Sequence, residues 1–221
     1  MELDRNSILV GLFFVIACMA VFWVAYEYWR SHKVKGVSKS LGFKFTTFSK
    51  LENINHPVTH LFELGERKYF TNVMEGVHLG KDVFIAGYNY HIGNGKSRRR
   101  ICQTIFIFNI FPKELPYFEA IAVKGKFNPF FLLEKVPQEL DIKLGFEDFD
   151  AEYLVRGKDV KRIRRILNPL CTRLLTQYPG VSIEQQGGLL MFYVSRHRVK
   201  PSELKSNLDG YSELCASFVK T

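Results

Sequence analysis

Four cationic side chains fall within five positions at Lys96, Arg98, Arg99 and Arg100, and a second set, Lys161, Arg162, Arg164 and Arg165, repeats that density further along. Ammonium and guanidinium groups packed this closely suit an anionic partner: a lipid headgroup, a phosphorylated ligand or an acidic protein surface. Gly95-Lys96-Ser97 has the ending of a phosphate-binding loop. That loop requires a glycine five residues before Gly95 and a helix after it. Tyr90 stands at the first place, and Arg98 onward alternates as a strand, so a hairpin turn is the better reading. His56 and His60 are four apart, but Pro57 disfavours the helix that would align them, and neither Glu63 nor Glu66 offers a third ligand. Glu147, Asp148 and Asp150 read as solvated loop acids. No serine lies in a G-x-S-x-G setting and no cysteine has a local catalytic signature. The residues therefore assign no catalytic group, no metal site and no cofactor.

The elements that carry the two basic sets can be read from periodicity. Val83 to Ile92 and Ile101 to Phe111 alternate as strands, and Asn94-Gly95 between them is a two-residue hairpin signal. A turn there pairs Gly93 with Lys96, Tyr88 with Ile101 and Phe84 with Ile105. Ile105-Phe106-Ile107-Phe108 is apolar on both faces and predicts a central strand covered on both sides. Further strands are expected at Tyr69 to Val77, Tyr117 to Lys124, Phe149 to Val155, Val181 to Gln185 and Leu189 to Val194. A short helical piece is expected around Phe130 to Leu133. The second basic set rides on a helix capped by Asp159 whose apolar face is Val160, Ile163, Ile166, Leu167, Leu170 and Leu174, kinked at Pro169. No acid lies between Lys161 and Thr176. A closing helix starts at Pro201 and presents Leu204, Leu208, Tyr211, Cys215 and Phe218.

Upstream of all this, Ile8 to Tyr26 carries no charge and no proline. About 19 residues rising 1.5 Å each nearly cross a hydrocarbon core of about 30 Å. Trp23, Tyr26, Tyr28 and Trp29 gather at its end, as amphipathic rings do at headgroup level. Arg30, His32, Lys33, Lys35 and Lys39 follow, against Arg5, Glu2 and Asp4 before it. That asymmetry places the C-terminal side in the cytoplasm. A cleaved signal peptide near Ala17-Cys18-Met19-Ala20, or a lipidated Cys18, requires polar sequence after the cut, whereas Val21 to Tyr26 stays apolar.

The net charge of +9 suits anionic partners, and the four cysteines form no CxxC pair. Aromatic residues are not interleaved with the second basic set, so nucleic acid is a poorer partner than lipid or protein.

Phe149-Asp150-Ala151-Glu152-Tyr153-Leu154-Val155-Arg156-Gly157-Lys158-Asp159, then Ile166-Leu167-Asn168-Pro169-Leu170, Leu174-Leu175 and an extended pair around Gly187-Gly188 resemble an uncharacterised family of bacterial membrane-anchored domains. The resemblance implies architecture and anchoring and brings no activity.

The expected fold is α+β: a single transmembrane helix, then an antiparallel β-sheet domain with two helices of the C-terminal third packed on it. The expected division is an anchor at 1–30, a basic juxtamembrane segment at 31–42 and a cytoplasmic domain at 43–221, single-pass in the inner membrane. The expected function is a tethered, non-enzymatic interaction or scaffold domain. The alternatives are a sensor of anionic lipid or a phosphorylated ligand, and an enzyme whose site the sequence does not display.

Overall fold

A computed structural model describes residues 5–53, 59–110, 115–123 and 141–219. It is α+β. One long apolar helix, α1 (Arg5–Ser40), precedes nine strands that form a single antiparallel sheet in the order β1-β2-β3-β4-β9-β8-β5-β7-β6. The strands are β1 (Lys44–Lys50), β2 (Glu66–His78), β3 (Lys81–Ile92), β4 (Arg99–Asn109), β5 (Phe118–Ala122), β6 (Asp141–Ile142), β7 (Tyr153–Gly157), β8 (Val181–Gln186) and β9 (Leu189–Val194). The helices after α1 are α2 (His60–Glu63), α3 (Glu147–Glu152), α4 (Val160–Ile166), α5 (Pro169–Thr176) and α6 (Leu204–Val219).

The sheet buries both faces because its middle strands are apolar on both. Ile105, Phe106, Ile107 and Phe108 are all buried, as the unbroken apolar run of β4 requires. Phe106, Phe108, Ile183, Phe192 and Ala120 face one way, toward α1, α4, α5 and α6. Phe84, Tyr88, Ile105, Ile107, Met191 and Tyr193 face the other way, where α2 lies with Leu61 and Phe62 buried. The closing helix buries Leu204, Leu208, Tyr211, Cys215 and Phe218, the face its spacing predicts.

Four expectations need correction. The β3–β4 connection is a six-residue loop, Gly93 to Arg98, with Gly95–Ser97 in a 3-10 turn. Tyr88 therefore pairs with Gln103 and Phe84 with Ile107, two residues away from the expected register. A slip of two keeps every side chain on its face, so the apolar pattern alone could not exclude it. The type I′ signature, φ > 0 at both central residues, occurs instead at Leu79-Gly80 and at Gly187-Gly188.

Phe149 to Val155 is not one strand: Glu147–Glu152 is helical, and extension begins at Tyr153. Pro169 does not kink a helix but starts a new one. Asn168 accepts from Leu170 N and Cys171 N as its cap, so the expected single helix is two, α4 and α5. That break rotates the apolar face: Ile163, Ile166 and Leu167 are buried, while Leu170 is 62% exposed and Val160 39%. The expected helical piece at Phe130 to Leu133 lies outside the described residues.

Helix α1 has two unlike parts. Phe13, Phe14, Phe22 and Trp23 are exposed, on a stretch long and apolar enough to cross a membrane. Further on, Arg30, Val34 and Ser38, four apart along one stripe, are buried against the sheet domain. Arg30 Nη2 donates to Val199 O at 2.7 Å, and Arg198 grips Glu27 bidentately at 2.6 and 2.8 Å. Ser38 Oγ donates to Phe43 O at 2.9 Å across the exit turn at Gly42.

The last third of α1 is thus core. An anchor-free fragment that begins at Glu27 keeps these contacts; one that begins at Val37 loses Val34, whose burial is worth about 1.5–3 kcal/mol. At roughly 2–4 °C per kcal/mol, the shorter fragment should melt several degrees lower by circular dichroism. Equal midpoints would show that the helix is not part of the fold.

Candidate functional site

The face of the sheet that carries α2 holds a row of charge in an otherwise apolar surface. Ladder pairing places Asp141 opposite Arg156, Arg156 opposite Glu119, and Glu119 opposite Glu184 across β6, β7, β5 and β8. Glu119 and Glu184 are 0% and 1% exposed, Arg156 2%. An ionised carboxylate buried without a partner costs several kcal/mol, so each has to be answered.

Each carboxylate has partners. Glu184 Oε1 accepts from the Tyr193 hydroxyl at 2.7 Å, and Oε2 accepts from Leu61 N at 3.1 Å, an amide of the first turn of α2. Glu119 Oε2 lies 3.1 Å from His60 Nδ1, while its Oε1 is 3.8 Å from Arg156 Nη1. Arg156 Nε is committed to Asp141 at 2.7 Å. Helix α2 is therefore fastened to the sheet through its first residue's ring and its second residue's amide. Leu61 O accepts from the Tyr88 hydroxyl at 3.5 Å, and Phe62 packs edge-on against Phe70 and Tyr88.

The environment moves two protons. Burial pushes Glu184 up to about 7, and the Glu119 charge beside it adds to this against the bonds from Leu61 N and Tyr193. Burial pulls the His60 imidazole down, but the bonded Glu119 carboxylate outweighs it, and the net shift is upward. Near neutrality Glu184 stands at the midpoint of its titration, and the bond from Glu119 favours the charged form of the imidazole. Tyr117 is raised by burial and then by Glu119 and Glu184, so it remains a neutral phenol beside them.

His60, Glu119 and Glu184 bring one ligand atom each to within 4.8 Å of one another. A cation is thus sterically possible at a place where the spacing of His56 and His60 gave no reason to expect one. His56 lies outside the described residues, and Glu63 and Glu66 take no part in the group. Sequence reasoning missed Glu119, Glu184, Arg156 and Tyr193. The available signal was a lone acid in the apolar run Phe118-Glu119-Ala120-Ile121-Ala122; Glu184, among Ser182, Gln185 and Gln186, gave none. Nothing local says that the two strands are neighbours.

The basic sets are placed apart. Lys96, Arg99 and Arg100 are exposed on the β3–β4 loop and the start of β4, and Arg98 pairs with Glu66 at 2.8 Å. The charge of Arg100 acts on both Cys102 and Glu27. This end of the sheet is therefore the one beside the apolar part of α1. Lys161, Arg162, Arg164 and Arg165 are exposed on α4. Strand pairing puts the end of β7, and so the start of α4, at the opposite end of the sheet. Arg164 Nη2 donates to Lys143 O at 2.9 Å, and Arg162 N to the Asp159 cap at 3.1 Å. Asp150, from the acid cluster, accepts from Leu144 N and Gly145 N and closes a loop.

No protein-family model matches the chain, and no curated protein sequence does. The fold is similar to a solved one. The crystal structure of the mycobacterial trehalose monomycolate transport factor A, TtfA, superposes with a TM-score of 0.59 at 13% identity, covering 86% of this chain and 93% of that one. At this identity the likeness is one of fold.

The two shifted groups set the sign of a pH dependence. Glu184 is raised from 4.5 to about 7, so the fold loses stability as pH rises between these values, by as much as about 3 kcal/mol. His60, also raised, contributes stability below its ordinary 6.5 that is lost as pH climbs through its folded value. Both act in one direction. In chelator-treated buffer the melting temperature should fall from pH 5 to 8, and Glu184→Gln should flatten that fall. An unchanged slope in the variant would mean that Glu184 is not the titrating group.

Proposed function

We propose that the chain is a membrane-tethered, non-enzymatic interaction domain, held at the cytoplasmic face of the inner membrane as an accessory unit beside a membrane transport system. The observation that carries this reading is the double use of α1. Its apolar part stands clear of the domain, and its last third is core, so one unbroken helix serves as anchor and as structural member. A domain fixed in this way is set at a constant height and orientation over the bilayer, which suits an interaction partner of something embedded there. Arg30, His32, Lys33, Lys35 and Lys39 on the domain side of the apolar run support a cytoplasmic domain. Glu119 and Glu184, with almost no exposure, meet no substrate in this conformation. The transport context comes from the fold's likeness to a transport factor.

A second reading, contact with anionic lipid, is favoured by the position of Arg100 beside Glu27. The β3–β4 loop with Lys96, Arg98 and Arg99 extends from that point, and each basic residue near an anionic leaflet is worth about 1 kcal/mol. The α4 set lies at the other end of the sheet, so a leaflet that meets one set does not meet both; an acidic protein partner is the reading for Lys161, Arg162, Arg164 and Arg165.

Two measurements bear on these readings. A periplasmic reporter fused after Thr221 should be silent and a cytoplasmic one active; the reverse would overturn the orientation. In nanodiscs that carry the full chain, Lys96 should react more slowly with an amine reagent over anionic lipid than over neutral lipid, with Lys161 unaffected. Equal protection on both lipids, or at both lysines, would remove the lipid reading and leave the tethered domain standing.

A further inference from the structure

We propose that His60, Glu119 and Glu184 form a structural binding site for a divalent transition-metal ion of the Zn²⁺ class, which clamps α2 onto the sheet. Three observations carry it. First, the ligand atoms already converge: His60 Nδ1 and Glu119 Oε2 are 3.1 Å apart, and Glu184 joins them within 4.8 Å. Ligands at about 2.0–2.2 Å from a tetrahedral ion stand roughly 3.4 Å from one another, so loading the site draws Glu184 toward the other two.

Second, Glu119 Oε1 and His60 Nε2 are buried and have no hydrogen-bond partner among the described residues. Glu119 Oε1, at 0% exposure, accepts no hydrogen bond: its charge contact is Arg156 Nη1 at 3.8 Å, and Arg156 Nε is spent on Asp141. Third, the ligands are held from behind, as metal ligands are. Tyr193 and Leu61 N orient Glu184, and Arg156 flanks Glu119.

Charge agrees with this. A dication over two carboxylates leaves Arg156 and Asp141 to neutralise each other in the same row. An imidazole with two carboxylates selects a borderline ion such as Zn²⁺ over Ca²⁺ or Mg²⁺, which prefer all-oxygen sets. The burial of the ligands makes the role structural: the ion would join the only described helix on this face, four residues long, to two strands of the sheet.

The test uses the full chain without a histidine tag, in detergent micelles, stripped with chelator and titrated with Zn²⁺. Native mass spectrometry should find one retained ion per chain. Zn²⁺ in excess should raise the melting temperature by several degrees, as binding to the folded state alone requires. Glu119→Gln and Glu184→Gln, both nearly isosteric, should each weaken retention by at least about tenfold. X-ray absorption of the loaded wild type should show one imidazole and oxygen ligands near 2.0–2.2 Å without sulfur, and this decides the matter even where a glutamine variant fails to fold. No retained ion, an ion that survives either substitution, or Zn–S distances near 2.3 Å from cysteine would overturn the site. None of these outcomes depends on the side of the membrane the domain occupies.

Discussion

Two glutamates at directly paired positions on one dry sheet face repel each other unless something answers their charge. That constraint shapes the α2 side of this fold. Glu119 and Glu184 could have been apolar, as Ile107 and Met191 are further along the same row. Instead the row continues as Arg156 and Asp141 on one flank, and His60 comes down on top. Four residues of helix with only Leu61, Phe62 and His60 to bury have too little apolar surface to hold themselves in place. The carboxylates supply what is missing: one takes the ring and the other takes the amide. Removing one member of such a set would leave the rest buried and unpaired, which is worse than never having had them.

The opposite face follows different physics. There α1, α4, α5 and α6 cover aliphatic and aromatic rows, and polar bonds appear mainly where α1 joins the domain. The bidentate pair of Arg198 with Glu27 sits where the helix passes from exposed apolar surface to packed core. A charged pair at that point fixes the rotation of the helix about its axis, since only one face of α1 presents Glu27, Arg30 and Val34 together. The apolar run then leaves the domain in a defined direction.

Much of this architecture was legible in the sequence because it depends on local pattern. The apolar stretch, the double-sided run Ile105 to Phe108, the Gly187-Gly188 hairpin and the stripe from Leu204 to Phe218 are each written within a few residues. What was not legible depends on pairing between distant segments or on competing local signals. Asn94-Gly95 is a strong turn signal, yet the loop is longer, since Gly93 and Gly95 both take positive φ and Ser97 Oγ caps Asn94 O at 2.8 Å. Pro169 read as a kink because the apolar spacing runs across it, but Asn168 supplies a complete cap and the chain starts afresh. The buried cluster was the least accessible of all. Its acids come from strands that meet only in the sheet order, and nothing in the spacing around His60 points to either of them.

The two faces together suggest why the cluster and the anchor can coexist in a small domain. The sheet stands between them: Val34 of α1 shares the apolar cluster of Met74, Ile85 and Phe106, whereas His60 contacts Glu119 on the reverse side, several strands away. A change in protonation or occupancy at the cluster alters how firmly α2 is held, and it does so without touching the contacts that orient the domain on its helix. The fixed part of the molecule is therefore the mount, formed by α1 with β1, β2 and the turn at Pro201–Glu203. The adjustable part is a single turn of helix on the far face, held by charge more than by apolar area. A domain built in this way can present an unchanging surface near the apolar helix while its other face responds to pH or to a bound cation.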